Sequence, residues 1–232
     1  MKNIKILSVG GSIVAPDNPD VSFIKEFKEA IIGYLQEDPR RTLVFIIGGG
    51  GPARQYQKAY REILQNVSDP IEQDWIGIMA TRLNAQLVKG VFGEYCSHEV
   101  VTDPTSVTSF EGSILVAAGW KPGFSTDNDS VLLAENLGAD TVINLSNIAK
   151  VYSADPKKDP DAVPLDSLTW TEMRKLVGDT WIPGKNVPFD PVATKKAAEL
   201  GLKVITAEGR DIPNLEKILR DNPFYGTTIG PE

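Results

Sequence analysis

Short, uniformly apolar runs alternate with helix-like stretches along most of the chain, and this alternation restricts the folds open to it. Between the runs, apolar residues recur at the three- and four-residue spacing of amphipathic helices. Strands that are apolar throughout and alternate with helices are typical of a mostly parallel sheet covered on both faces. The sequence therefore predicts an α/β fold with strands at residues 4–9, 43–47, 114–118, 141–145 and 202–206.

The composition is that of a globular protein and excludes several classes of function. The 232 residues include 24 basic and 31 acidic side chains, which gives a net charge of −7. An acidic balance argues against nucleic-acid or membrane-surface binding, because both need a basic face. One cysteine, Cys96, and one histidine, His98, allow neither an internal disulfide nor a Cys/His zinc cluster. No apolar run reaches the roughly 18 residues of a membrane span, and no secretory signal is recognisable, so we expect a cytoplasmic protein.

The remaining segments are less regular. Apolar residues at helical spacing predict a helix with Tyr56, Tyr60 and Ile63 on one stripe, and another that runs from Asp69 to about Val91. Five prolines between residues 156 and 188 predict irregular chain around one short helix at 171–177. Further helices are predicted at 191–200 and 213–220, and the chain ends in a predicted apolar turn at 227–229.

Four loops follow the predicted strands and define where a ligand should bind. They comprise residues 10–12, 48–54, 119–127 and 146–155. In open α/β sheets, ligands lie beyond the carboxyl ends of the strands. We therefore expect these four loops to surround one crevice.

Two of the loops are rich in glycine. Residues 48–51 are four glycines that follow a strand and open a helix, and Arg54 lies one turn on. Such a turn offers backbone N–H groups and a helix N-terminus to a phosphate, which an arginine can grip with two hydrogen bonds; the alternative is a tight turn without ligand. The stretch from Gly48 to Ala53 also matches a dinucleotide-binding pattern, but Asp69, at the required distance, lies in a turn rather than at a strand end. Residues 10–12, Gly-Gly-Ser, form the second glycine turn, and two such turns suggest two phosphates, a donor and an acceptor.

Two further groups carry polar side chains. Asp74 begins a helical segment that also holds Thr81 and Arg82, and it is either a ligand for two ribose hydroxyls or a solvated acid. Residues 123–127 place hydroxyls and a carboxylate at a helix start. Capping of that helix explains them as well as a binding role does.

Together these pieces resemble the amino acid kinase family, in particular its archaeal-type uridylate kinase branch. The resemblance runs from about residue 4 to residue 229, and the order and spacing of the pieces are more specific than any one of them. The pieces are Val-Gly-Gly-Ser12, Ile-Ile-Gly-Gly-Gly50, Ala-Arg54, the segment from Asp74 to Asn84, Pro-Gly-Phe-Ser-Thr-Asp127, Val-Tyr-Ser-Ala-Asp-Pro-Lys-Lys158, Asp190-Pro-Val-Ala193 and Gly-Thr-Thr-Ile229.

The resemblance implies a fold, a reaction and an assembly. It implies a three-layer αβα sandwich formed by one domain, with an acceptor-binding part at about residues 1–140 and a nucleotide-binding part at about 141–232. The implied reaction converts ATP and UMP to ADP and UDP, with Mg²⁺ on the nucleotide phosphates. The implied assembly is a homo-oligomer, a hexamer in this branch.

The resemblance also assigns roles to individual residues. Arg54, Asp127 and Asp190 would be catalytic, and Arg54 would also border the ATP phosphates. The implied UMP-binding residues are Gly49, Asp74, Trp120, Lys121, Pro122, Gly123, Phe124, Ser125 and Thr126. The implied ATP-binding residues are Gly11, Ser12, Gly50, Arg54, Ser146, Tyr152 and Asp155.

The chain departs from the family pattern where a cation is expected. Ser8 and Gly51 stand at the two positions that carry a lysine in other members, and in the adenine-side motif Ala149 and Lys150 replace aspartate and glycine. Lys150 or Lys121 either restores the missing cation or is a solvated surface lysine. Two alternatives therefore stay open: a catalytically impaired, nucleotide-binding relative, and a family enzyme with another small acceptor.

Overall fold

The five predicted apolar runs form five neighbouring parallel strands in the computed structural model, which describes residues 3–65, 69–156, 158–178, 180 and 187–231. Within these residues the strands are β1 (Asn3–Val9), β2 (Arg41–Ile47), β3 (Ile114–Ala117), β4 (Thr141–Ser146), β5 (Val151–Tyr152), β6 (Pro164–Leu165), β7 (Ser167–Thr169), β8 (Lys203–Glu208) and β9 (Thr227–Gly230). The helices are α1 (Gly11–Val14), α2 (Val21–Gln36), α3 (Gly50–Ile63), α4 (Pro70–Phe92), α5 (Thr126–Leu137), α6 (Trp170–Val177), α7 (Pro191–Leu200) and α8 (Ile212–Leu219).

The main sheet has the strand order β3-β2-β1-β4-β8-β9-β7 among the described residues. Strands β3, β2, β1, β4 and β8 are parallel, so their carboxyl ends share one edge of the sheet. Strand β9 runs antiparallel to β8, and β7 pairs with it in parallel. The prediction of a turn at 227–229 is therefore wrong. Three to four residues carry too little periodicity to reveal a strand whose partners lie far away in sequence.

Helices cover both faces of the sheet and complete the three-layer sandwich. Alternate residues of each strand point to opposite faces, so that Leu7 joins the core under α2, α4 and α8, whereas Ile6 joins the core under α5, α6 and α7. On the first face, the rings of Phe27, Phe45 and Phe92 pack with centroids 5.3–6.0 Å apart. The predicted αβα fold class is confirmed.

Side-chain caps determine where the two helices nearest the predicted crevice begin. The Ser125 hydroxyl accepts the Asn128 N–H and starts α5, as the capping alternative predicted. The Asp190 carboxylate accepts the N–H groups of Val192 and Ala193 through Oδ1 and starts α7. Both caps hold a helix N-terminus at the edge where the parallel strands end.

Helices α3 and α4 form as predicted, but the predicted stripe of α3 faces away from the core, and α4 exposes further apolar side chains besides the face that packs Phe92 into the core. Tyr56 is 70% exposed and Ile63 is 77% exposed on α3, while Met79 is 57% and Leu83 is 68% exposed on α4. Eight of the twelve exposed large hydrophobic side chains of the described chain lie on this pair, counting Leu64 at the end of α3. Exposed apolar side chains gathered on two adjacent helices are typical of an interaction surface. Among the described helices, none has the length and hydropathy needed to cross a bilayer.

Candidate active site

The two glycine loops lie in direct backbone contact at the carboxyl edge of the sheet. The Gly10 N–H donates to Leu145 O at 2.9 Å, and the Gly48 N–H donates to Val9 O at 3.0 Å. A Cβ on Gly11 would lie 2.6 Å from Gly49 N and closer still to Gly50 N, where no atom fits. Gly50 itself has φ +62°, which favours glycine. We call residues 10–12 together with 48–51 the glycine floor.

Arg54 lies beside this floor and is held by a neighbouring loop. Its Nη2 donates to Pro16 O at 2.8 Å. The same loop accepts the Gly51 N–H on Ala15 O at 2.8 Å. Arg54, which we predicted to bind phosphate, is therefore exposed on α3 and has one guanidinium nitrogen bonded to a backbone carbonyl.

Asp127 and Asp190 meet beside the end of β1. Asp127 Oδ1 accepts the Ser8 hydroxyl at 3.3 Å, and Oδ2 accepts the Asp190 N–H at 3.1 Å. Burial raises the pKa of Asp127 to about 6; the Asp190 N–H opposes the rise and the Asp190 carboxylate adds to it. The two carboxylates predicted to be catalytic are thus brought together. Ser8, at the expected lysine position, donates its hydroxyl to Asp127.

A row of buried polar side chains extends from this pair across the sheet. Ser8 pairs in register with Asn144, Asn144 with Thr206, and Thr206 with Thr227, so all four share one face. All are buried. Asn144 Nδ2 donates to Pro188 O at 3.0 Å and so ties β4 to the segment that leads to Asp190. Sequence reasoning missed this row, although single polar residues inside the three apolar strands β1, β4 and β8 were a readable signal.

Helix α4 positions the loop of residues 120–126, which we predicted to bind an acceptor. Asp74 Oδ2 accepts the Gly123 N–H at 3.1 Å, and Arg82 Nη2 donates to Trp120 O at 3.0 Å. The same helix reaches the second glycine loop, because Asn84 Nδ2 donates to Gly48 O at 2.9 Å and to Gly49 O at 3.1 Å. Asn84 was missed as a site residue, since a polar residue inside a helix has no distinctive local pattern.

The 120–126 loop presents an aromatic and cationic cluster. The rings of Trp120 and Phe124 meet edge to face with centroids 4.7 Å apart, and Lys121 Nζ lies 3.7 Å from the indole centroid. Lys121 is therefore exposed, as the hypothesis of a surface lysine predicted, but its ammonium lies against an aromatic ring. The loop continues through Pro122, Ser125 and Thr126 into α5.

On the predicted ATP side, Ser146 ends β4 and Tyr152 lies in β5. The Ser146 carbonyl accepts the Gly209 N–H at 2.8 Å, and the Asp155 carbonyl accepts the N–H groups of Lys158 and Asp159 at 2.9 Å each. The loop after β8, which begins at Gly209, reaches the same edge. It was not predicted as part of the crevice, although it follows a parallel strand as the other four loops do.

Lys150 does not supply the missing cation at the glycine floor. Its side chain is buried, its ammonium pairs with the Asp166 carboxylate, and Nζ lies 4.4 Å from the Tyr225 ring centroid. The hypothesis of a solvated lysine is equally wrong for this residue. Lys150 instead joins the β5–β6 region to the C-terminal segment.

Asp129 lies two residues after Asp127 on α5 and is completely buried. Its Oδ2 accepts the Trp120 N–H at 3.1 Å, and within the described part of the chain its Oδ1 has no hydrogen-bond partner. Burial raises the pKa of Asp129 to about 7, with the Trp120 N–H opposing the rise and the charges of Asp127 and Asp103 adding to it.

These raised pKa values predict that stability falls as pH increases. The folded-state pKa values of Asp127 and Asp129 exceed the ordinary value of 3.8, so the native state holds more protons than the unfolded state and loses stability as pH rises from about 4 to 7. In the Asp129→Asn variant, the part of this slope between pH 6 and 7 should disappear. Urea unfolding at pH 5, 6, 7 and 8 measures it, and equal slopes in variant and parent would contradict a buried ionising Asp129.

The family assignment follows from this fold and from sequence comparison. The sequence model of the amino acid kinase family matches residues 3–207. The chain belongs to the amino acid kinase family.

Within that family, the chain is similar to archaeal uridylate kinases. It is 36% identical to the uridylate kinase of Methanospirillum hungatei JF-1, with 97% of this chain and 93% of the relative covered. It is 35% identical to the uridylate kinase of Methanocorpusculum labreanum, with 97% and 94% covered. The crystal structure of uridylate kinase from Archaeoglobus fulgidus matches with a TM-score of 0.83 and 33% identity, covering 99% of this chain and 100% of that one. The predicted family resemblance is confirmed.

Proposed function

We propose that the chain is a UMP kinase that transfers the γ-phosphoryl group of ATP to UMP and forms ADP and UDP, a step of pyrimidine nucleotide biosynthesis. One observation carries the proposal. Two glycine loops in backbone contact lie beside a pair of aspartates, in a chain similar to uridylate kinases over 97% of its length. Phosphoryl transfer requires two polyanions held end to end with their charge neutralised, and this arrangement suits that task.

The glycine floor and Arg54 provide donors for the transferring group. Gly11, Ser12 and Gly50 would line the ATP phosphates with backbone N–H groups. Arg54 would exchange the Pro16 carbonyl for phosphate oxygens, a stronger, charge-assisted hydrogen-bond partner. These donors replace the lysines that Ser8 and Gly51 do not provide.

The substrates would lie on opposite sides of this floor. Gly49, Asp74 and the 120–126 loop would bind UMP, and the Asp74 oxygen that does not hold Gly123 would face the ribose. Ser146, Tyr152 and Asp155 would bind ATP. This division places acceptor binding in about residues 1–140 and nucleotide binding in about 141–232.

Mg²⁺ would enter this site as part of the ATP substrate. It prefers one or two carboxylates together with phosphates and water, and the carboxylates of Asp127 and Asp190, whose residues are linked through the Asp190 backbone N–H, offer such oxygen donors. Asp190 accepts both of its helix N–H groups on one oxygen, Oδ1. Among the described residues, no group of three or more His, Cys, Asp or Glu side chains could hold a metal without a substrate. Bound Mg²⁺ would neutralise charge on the phosphates.

An acceptor panel tests the proposed function. Purified protein is incubated with Mg-ATP and UMP, CMP, AMP, carbamate, aspartate or acetylglutamate, and ADP release is followed together with product identification by ³¹P NMR. We expect UDP from UMP. Binding of ATP without turnover on any acceptor would support the impaired relative instead, and turnover on a non-nucleotide alone would support another acceptor.

We further propose that the protein is a cytoplasmic homo-oligomer, a hexamer as the resemblance implies, assembled through the exposed face of α3 and α4. That face carries eight exposed apolar side chains, which are Tyr56, Ile63, Leu64, Ile71, Trp75, Met79, Leu83 and Leu87. Burial of these side chains against a second copy would remove apolar surface from water, which favours association.

A charge in this face should disrupt assembly. We expect Leu83→Glu to weaken association by about 100-fold or more, because a buried carboxylate without a partner is strongly unfavourable. Light scattering after size-exclusion chromatography across a dilution series measures the change. The matched control is Val21→Glu, an exposed apolar residue at the start of α2, which should leave the assembly unchanged. If Leu83→Glu assembles like the parent, the interface lies elsewhere.

A further inference from the structure

The C-terminal motif Gly226-Thr-Thr-Ile229 contributes Thr227 to the buried polar row, and it also holds the strand pair β5–β6. The Thr227 hydroxyl accepts the Val151 N–H at 2.8 Å and donates to Leu165 O at 2.5 Å. Val151 and Leu165 are paired across the two strands. One completely buried hydroxyl therefore joins β9 to both strands at the same register.

The β5–β6 pair needs such an attachment. Each strand has two residues, and residues 153–163 connect them. A two-stranded ribbon is only marginally stable by itself, and this one is shorter than most. Tyr152, which we assign to the ATP side, immediately follows the residue that Thr227 holds. The position of the ribbon therefore determines where Tyr152 lies.

Neighbouring contacts reinforce the attachment. The Thr228 N–H donates to Asp166 O at 3.0 Å, and the Asp166 carboxylate pairs with Lys150, whose ammonium lies over the Tyr225 ring. The Tyr225 backbone is in turn held by Asn214, through bonds of 2.7 and 2.8 Å. The C-terminal segment is thereby bonded to α8 through Tyr225 and to the β5–β6 pair through Thr227.

We propose that Thr227 is a positioning residue for the adenine nucleotide. Its hydroxyl fixes the β5–β6 ribbon, and with it Tyr152, in the orientation that binds ATP, without touching the nucleotide itself. The proposal rests on the proposed function only in naming the ligand. Lys150, where the family pattern has glycine, strengthens the same attachment through Asp166 and Tyr225.

Thr227→Val tests the proposal, because valine keeps the shape of threonine and removes both hydrogen bonds. We expect the variant to bind ADP and a non-hydrolysable ATP analogue about 10-fold more weakly by calorimetry. The KM for ATP should rise by a similar factor, whereas the KM for UMP and kcat should change less than twofold. Thr227→Ser, which restores the hydroxyl, should recover most of the affinity.

The matched control is Thr228→Val, the next residue of β9, whose backbone bond to Asp166 is retained. It should bind nucleotide like the parent. Amide hydrogen exchange supplies a readout independent of ligand: the Val151 N–H should exchange faster in Thr227→Val than in Thr228→Val. If the parent binds adenine nucleotides and Thr227→Val binds them equally well, the positioning role is wrong. If the parent binds none, the proposed function fails, while unchanged Val151 exchange would separately overturn the attachment.

Discussion

Replacement of Gly11 by alanine is expected to prevent the protein from folding stably and to abolish activity. The added Cβ would lie 2.5 Å from the carbonyl carbon of Gly48 and 2.6 Å from Gly49 N, all within backbone that cannot rotate away. The two loops would have to separate, which would break the Gly48 N–H bond to Val9 O and displace the start of α3. Overpacking in a rigid surrounding costs about 1–3 kcal/mol, and more where only backbone can yield.

The measurement is urea unfolding of Gly11→Ala beside a matched glycine variant. Gly33 lies within α2, and a Cβ there would meet no atom within 4 Å. Gly33→Ala should therefore raise stability by about 0.5–1 kcal/mol, the usual gain inside a helix. We expect opposite signs for the two substitutions. Similar stabilities would show that the glycine floor tolerates a side chain and would remove it as the rigid base of the site.

Replacement of Asp127 by asparagine is expected to lower kcat by about 10²–10³-fold, the usual cost of removing one preorganised charged group from a transfer site. Asparagine can keep the local geometry, since its oxygen can accept the Asp190 N–H and its amide can donate to the Ser8 hydroxyl. The variant therefore removes the charge with little loss of structure. The KM for UMP should change only slightly, because the residues assigned to UMP lie on the 120–126 loop and α4.

Asp129→Asn provides the matched control for this experiment. It is the same substitution two residues further along α5, on a buried carboxylate that contacts the Trp120 N–H rather than Asp190. We expect it to alter the pH dependence of stability but to change kcat less than 10-fold. Steady-state kinetics at pH 8, where both parent carboxylates are ionised, compares the two variants. Equal losses of kcat would mean that burial of charge in α5, and not the Asp127–Asp190 pair, governs turnover.

The parts of the fold that follow from local pattern could be predicted. Short, uniformly apolar runs such as residues 43–47 are typical of buried parallel strands, and helix starts such as Ser125 and Asp190 carry their caps in the sequence. Strands β7 and β9 could not be predicted in this way. They are short, and they exist because partners distant in sequence pair with them.

The features of the site also separate into those with a local sequence pattern and those that depend on residues distant in sequence. Glycine loops after strands were recognisable because a close backbone approach requires glycine at defined positions. The joining of Asp127 to Asp190 and the engagement of Lys150 with Asp166 depend on how helices and loops are arranged in space. Likewise, the stripes of α3 and α4 predicted the helices correctly, but periodicity alone does not say whether an apolar face meets its own core or another subunit.

The contact between the glycine loops has a mechanical consequence. Since Gly11 and residues 48–50 share one van der Waals surface, neither loop can move without carrying the other and the strands behind them. We therefore expect any movement on ligand binding at the rim, where the 120–126 loop and the β5–β6 ribbon are attached by a few hydrogen bonds each. The glycine floor would then stay fixed, and each nucleotide would be accommodated by adjustment of one rim element, the 120–126 loop for UMP and the β5–β6 ribbon for ATP.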